Sequence, residues 1–157
     1  MQIRKVLPRD KKELSKLLHT FHNFTQKNLS KKQANFRDFK NAKTSCEELA
    51  QKYIFNSNYL IYIAEENSHL KGLITGKIKE KKERIYDKAG YIEKWFVKEE
   101  HQNQGIGKKL FDELIKDFKQ ANCTHLELDA HIENEKALKI YERLGFTKRL
   151  ITLFKVI

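Results

Sequence analysis

The chain has 157 residues, 39% of them hydrophobic, enough for one core of ordinary domain size. No apolar run approaches the roughly 20 residues that a membrane-spanning helix needs. The formal charge of +11 favours polyanionic partners, but lysine-rich solvated helix faces give the same total and no nucleic-acid recognition motif accompanies it, so nucleic acid is not an expected partner. Two cysteines, Cys46 and Cys123, make neither a disulfide framework nor a metal site.

The opening MQIRKVLPRDKKEL lacks an apolar stretch of signal-peptide type, and the expectation is a cytoplasmic protein with reduced thiols. IRKVLP (3–8) reads as a short strand ended by the only proline. Asp10 is placed to cap a helix over about 11–24, with Leu14, Leu17, Leu18 and Phe21 at helical spacing. Residues 25–45 are polar and basic around Phe36 and Phe39, and read as a long, partly helical connection. Ser45 is expected to cap a second helix with Glu47 and Glu48 in its first turn.

NYLIYIAEE (58–66) and LKGLITGKIKEKK (70–82) read as hairpin strands about the NSH turn, and AGYIEKWFVKEE (89–100) as a third long strand. From Gly105 to Gln120 a helix puts Ile106, Leu110, Phe111, Leu114, Ile115 and Phe118 on one face. THLELDAHI (124–132) reads as a strand. NEKALKIYERLGF (134–146) reads as a helix capped by Asn134, stopped by Gly145 and followed by the apolar Phe146. FTKRLITLFKVI is expected to close the chain with one or two strands. There is no repeat and no linker, so residues 1–157 read as one domain. Hairpin-linked strands followed by a strand–helix–strand crossover imply an α/β fold of mixed (α+β) character, with helices on both faces of a mixed sheet.

Gly105 and Gly107 stand where a strand hands over to a helix, and phosphate is the usual reason for glycine there. The P-loop pattern fails: Lys109 follows Gly107-Lys108 where Ser or Thr is required, and position 102 is Gln. The dinucleotide pattern G-x-G-x-x-G fails at Leu110. The physical case for an anion survives both failures. Unpaired N–H groups and the positive end of the helix dipole make residues 102–108 a candidate pyrophosphate cradle, with charge added by Lys108 and Lys109.

The stretch Gln102-x-x-Gly105-x-Gly107 resembles the acyl-CoA-binding motif [R/Q]-x-x-G-x-[G/A] of the GNAT family of N-acetyltransferases. Downstream, Asn134, Ala137, Tyr141, Gly145 and Phe146 match that family's N-x-x-A-x-x-x-Y-x-x-x-G-F. The resemblance extends over the chain in element order and is most specific from about 89 to 146; the first 60 residues carry no motif. It implies a central mixed sheet, mostly antiparallel with one splayed parallel pair, and acetyl-CoA as cosubstrate without a metal.

By this resemblance a bulge frees backbone groups of Phe96, Val97 and Lys98 for the pantetheine arm. The backbone of Gln102, Asn103, Gln104, Gly105, Ile106, Gly107 and Lys108 would hold the pyrophosphate, and Asn134 and Ala137 would line the arm. Phe96 and Val97 also read as sheet core, and Asn134 as an ordinary cap. Tyr141, on the face of Asn134 and Ala137, is the candidate general acid for the leaving thiolate, since tyrosine is protonated at neutral pH. Glu93, in YIEKWFV, is the candidate base or ammonium-binding group. Lys94 stands where some relatives carry Asp, which weakens a polycation pocket. His131 is an alternative base, and His19 and His22 lack the neighbours a metal would need.

The activity implied is direct acetyl transfer to a primary amine in a ternary complex. YIEKWFV resembles diamine acetyltransferases, which puts a small amine or polyamine first and a protein or peptide amine second. Homodimers are common in the family, although no residue pattern here demands one, and no membrane is expected. The competing class is an inactive basic module that binds nucleic acid or a protein.

Overall fold

The computed structural model describes residues 1–155. Strand β1 (Gln2–Lys5) is followed by a single 3-10 turn and three helices, α1 (Lys11–Lys27), α2 (Lys31–Arg37) and α3 (Ala42–Phe55). A meander of β2 (Tyr59–Glu66), β3 (His69–Glu80) and β4 (Lys88–Val97) leads to α4 (Ile106–Gln120), β5 (His125–Leu128) and α5 (Glu135–Arg143). The strands form one sheet in the order β1-β2-β3-β4-β5, antiparallel except for the parallel β4–β5 pair. This is the mixed sheet expected from the chain order. The tight β2–β3 turn uses Asn67 and Ser68 at positive φ, which short polar residues tolerate best.

Each face of the sheet carries a helix layer. Leu14, Leu17 and Leu18 of α1 pack with Ala50 and Tyr53 of α3 onto Ile61, Ile63, Leu73 and Phe96. Ile106, Leu110, Leu114 and Phe118 of α4 cover Ala64, Ile74 and Ile92 on the other face. Close approach of α4 depends on Gly76 and Gly90: a Cβ at either would stand 2.6 or 2.5 Å from the Phe118 ring.

Three local expectations are corrected. Asp10 precedes α1 but does not cap it. Its carboxylate accepts from the Arg4 guanidinium at 2.7 and 2.8 Å and from the Leu7 amide at 2.7 Å, closing the β1–α1 corner. Ser45 does not cap α3, because the helix starts earlier, at Ala42. The extended Asn41 is the cap and accepts from the Thr44 amide at 3.1 Å. The closing segment forms no strand among the described residues. Residues 146–155 run outside the sheet, with Leu150, Ile151 and Leu153 exposed and Phe154 stacked on Phe36 at 4.4 Å. The aromatic contact with α2 takes the place of sheet pairing; residues 156–157 lie outside the described residues.

Candidate active site

The β4–β5 pairing is short. It runs from Ala89↔His125 to Ile92↔Leu128 and stops, while β4 continues to Val97. Beyond Ile92 the edge of β4 that faces β5 has no strand partner. The Lys98 amide donates to the Lys71 carbonyl on β3 at 2.9 Å. Backbone groups alternate sides along an antiparallel strand. Phe96 and Lys94 therefore face β3, and Val97 and Trp95 face the open edge. The Val97 carbonyl accepts from Gln102 Nε2 at 3.0 Å, leaving its N–H exposed to the opening. Of the three expected backbone positions, Val97 alone faces the gap. The Lys98 amide is committed, and Phe96 sits in the core.

The open edge leads to the start of α4. Asn103 and Gly105 both have positive φ, 62° and 75°, and turn the chain sharply into the helix. Lys109 N–H, donating to Gly105 O at 3.1 Å, makes the first bond of the helical ladder. The amides of Gly105, Ile106, Gly107 and Lys108 are left over, as at any helix start, and here they open beside β4. Trp95 ties the two together by donating from Nε1 to Gly107 O at 3.1 Å. Gln102 is a brace: besides holding Val97 O, its Oε1 accepts from Lys136 of α5 at 2.7 Å. Its own amide is used by Glu99 O, so the cradle begins after it. Lys108 reaches along the helix to Asp112 at 2.7 Å.

α5 closes the gap from the other side. Asn134 caps it, accepting from Ala137 N–H at 3.2 Å, and its side-chain NH2 makes no bond among the described residues. The helix ends as read: Gly145 has φ 88°, and the Phe146 amide donates to Tyr141 O at 3.0 Å. That stop holds Tyr141 in place. Its ring lies 5.8 Å from Trp95 and 6.1 Å from Phe146, and burial pushes its hydroxyl above the usual tyrosine value, which keeps it protonated.

Glu93 sits at a β-bulge. The β3–β4 register jumps from Gly76↔Ile92 to Thr75↔Lys94, leaving Glu93 unopposed. The family bulge was expected beside Phe96; here it falls at Glu93. The bulge turns Glu93 and Lys94 to the α1/α3 side together. Three polar atoms meet under it, all buried and without a hydrogen bond among the described residues: Glu93 Oε2, Tyr53 Oη and Thr75 Oγ1. Burial and the Glu93 charge push the Tyr53 hydroxyl well above its ordinary value, so it stays protonated as a donor. Neither Tyr53 nor Thr75 is legible as a site residue in the sequence, where one reads as helix core and the other as a strand residue.

The α2 segment roofs this side. Glu133, beyond β5, accepts from the Ser30 amide and hydroxyl at 2.7 and 2.8 Å. Burial and the Arg37 charge push the His131 imidazole below its ordinary pKa. His22 lies 3.2 Å from Asp38, which occupies it, and no metal-binding group forms among the described residues. No helix in the described chain is long and apolar enough to cross a membrane.

A splayed strand pair thus opens over free helix-start amides, with a tyrosine across the gap. Residues 26–146 match the model of the Acetyltransferase (GNAT) family, and the chain belongs to that family. N-alpha-acetyltransferase 30 of Xenopus laevis is 30% identical over 96 residues, which cover 61% of this chain and 34% of the relative. N-alpha-acetyltransferase MAK3 of Arabidopsis thaliana is 31% identical over 110 residues, 65% of this chain and 56% of the relative. The chain thus spans from about a third to just over half of these relatives' lengths. A solved tetramutant of the BH1408 protein from Bacillus halodurans superposes over 100% of both chains with TM-score 0.84 at 20% identity, a likeness of fold.

Proposed function

We propose that this chain is an acetyl-CoA-dependent N-acetyltransferase acting on a primary amine, with a peptide or protein α-amine as the first choice of acceptor. The observation that carries the reading is the unpaired β4 edge ending over the free amides of Gly105–Lys108. That edge takes an extended arm like an added strand, and the amides donate to a pyrophosphate. The Asn134 NH2 and Ala137 line the same opening from α5.

Acetyl-CoA bound there supplies the thioester carbonyl that the amine attacks. The chain's own groups do the rest. Glu93, on the α1/α3 side, receives the ammonium or takes its proton. Tyr53 and Thr75 place their hydroxyls on the same side of the sheet as the Glu93 carboxylate. The Val97 N–H faces the gap and stabilises the charge that develops on the carbonyl oxygen. Tyr141, packed on Trp95 on the α4 side of β4, protonates the leaving thiolate. Acid and base thus stand on opposite faces of one strand.

The polyamine acceptor drops to second place. The curated relatives bear N-alpha-acetyltransferase names, and an α-amine with pKa near 8 asks less of a base than a side-chain amine near 10.4. Calorimetry with acetyl-CoA tests the reading, with Gly105→Glu as the control. Micromolar binding by the wild type, lost in the variant, is expected; a folded wild type that fails to bind would end the enzyme reading.

A further inference from the structure

The charges on the acceptor side do not cancel, and what remains has a pattern. The bulge turns Glu93 and Lys94 toward α1 and α3. Lys94 Nζ stands 5.9 Å from the centre of the Phe21 ring, and the Glu93 charge reaches Tyr53 of α3. Lys94 is half-buried, yet no carboxylate lies within 4 Å of it among the described residues, and neither does one lie that close to Arg37, at the end of α2. The nearby acids are engaged elsewhere. Asp38 holds His22 at 3.2 Å and its neighbour's amide, Phe39 N–H, at 2.9 Å. Glu133 holds Ser30.

The contacts draw these cations together. Phe21 beside Lys94 adjoins His22, His22 pairs with Asp38, and Asp38 follows Arg37. Asp38 on His22 of α1 and Ser30 on Glu133 beyond β5 tie both ends of α2 to this side, and the Arg37 charge acts on both Lys94 and His131. Burial above all, and the Arg37 charge with it, push the Lys94 ammonium below its usual pKa, against the pull of the adjacent Glu93 charge. Glu93 and the cations Lys94 and Arg37 thus share the α1/α3 side, and none of the three makes a salt bridge among the described residues.

Resting on the transferase reading, we propose that the acceptor is an amine bearing a carboxylate nearby: Glu93 receives the amine while Lys94 and Arg37 hold the carboxylate. A peptide with an acidic residue next to its N-terminus fits this arrangement, and so does a free acidic amino acid. A polyamine does not, because its second cation would face Lys94 and Arg37. Such recognition gives the half-buried Glu93 and Lys94 each a partner of opposite charge, and a charged pair discriminates against the opposite charge as well as favouring its own.

The test uses three tetrapeptide amides, Ala-Glu-Ala-Ala, Ala-Gln-Ala-Ala and Ala-Arg-Ala-Ala, followed by acetyl-CoA-dependent CoA release, with peptide binding to the CoA-saturated protein measured in parallel. The wild type should favour the Glu peptide over the Arg peptide by at least about tenfold in kcat/KM or affinity. Lys94→Gln and the exposed-site variant Arg37→Glu should each erase most of that preference, and Lys94→Glu should reverse it. All three should bind acetyl-CoA as the wild type does. Free glutamate, tested alongside, separates an amino-acid acceptor from a peptide one. Equal treatment of the three peptides, a preference unmoved by any variant, or no binding of the Glu peptide by a protein that binds acetyl-CoA would each overturn the proposal and spare the transferase reading. Failure to bind acetyl-CoA would strike that reading itself.

Discussion

Gly105 and Gly107 share one motif yet should answer substitution in opposite ways. Gly105 has φ +75°, and a Cβ there meets nothing within 4 Å, so Gly105→Ala brings backbone strain without a clash. A left-handed alanine costs about 1–2 kcal/mol. For a chain of this size that lowers the melting temperature by about 4 °C. Gly107 lies inside α4 with ordinary dihedrals, and a Cβ there would touch Trp95 Nε1 at 3.4 Å, a normal contact. Gly107→Ala should therefore be neutral, or stabilising by about 0.5 kcal/mol through helix propensity. Relaxation of the strained turn should shift the amides of the cradle, so Gly105→Ala should also weaken acetyl-CoA binding about tenfold, while Gly107→Ala should bind nearly as the wild type. Scanning calorimetry and acetyl-CoA titration on both variants give the comparison. Equal stability of the two variants would refute the left-handed argument. A destabilised Gly105→Ala protein with full affinity would refute the cradle.

Tyr141→Phe should leave stability and acetyl-CoA affinity almost unchanged and lower turnover about 10²-fold, because the ring packing on Trp95 and Phe146 survives while the proton donor is lost; an unchanged rate removes Tyr141 from the acid role. Glu93→Gln should lower the rate most below neutral pH, where more of the amine must lose a proton, and a rate profile with the wild-type shape at every pH would demote Glu93. Asp10→Asn should cost about 2 kcal/mol at pH 7 by urea unfolding. Arg4 holds the Asp10 carboxyl below its ordinary pKa, so its stabilisation is full above about pH 4 and fades as the pH falls through the folded value. The gap between variant and wild type should therefore close in acid, and a constant gap down to pH 2 would contradict this.

The features legible in the chain are those written in a few adjacent residues. The Gln102-x-x-Gly105-x-Gly107 turn, the Asn134 cap and the Gly145–Phe146 stop depend on local dihedrals and on hydrogen bonds within one turn of helix, so spacing is enough to reveal them. The hairpin about Asn67 and Ser68 and the apolar stripe of α4 are legible for the same reason. Local competition was harder to foresee. Asp10 has the right type for a cap, but Arg4 across the corner claims its carboxylate. The apolar tail from 146 has the composition of a strand, yet Phe154 finds Phe36 instead of a sheet edge.

The acceptor side was decided only by tertiary structure. A single extra residue in β4 turns Glu93 and Lys94 to one face, and no periodicity marks where a register jumps. Tyr53, Thr75 and Glu93 lie far apart in the chain and meet because α3 crosses the sheet there. Arg37 is held on the side of Lys94 because α2 is pinned by Ser30 to Glu133, more than a hundred residues away. Motifs record the part of the candidate site that is built from local backbone geometry. Charge balance on the α1/α3 side of the bulge is a sum over distant segments, and it exists only once the sheet has brought them together.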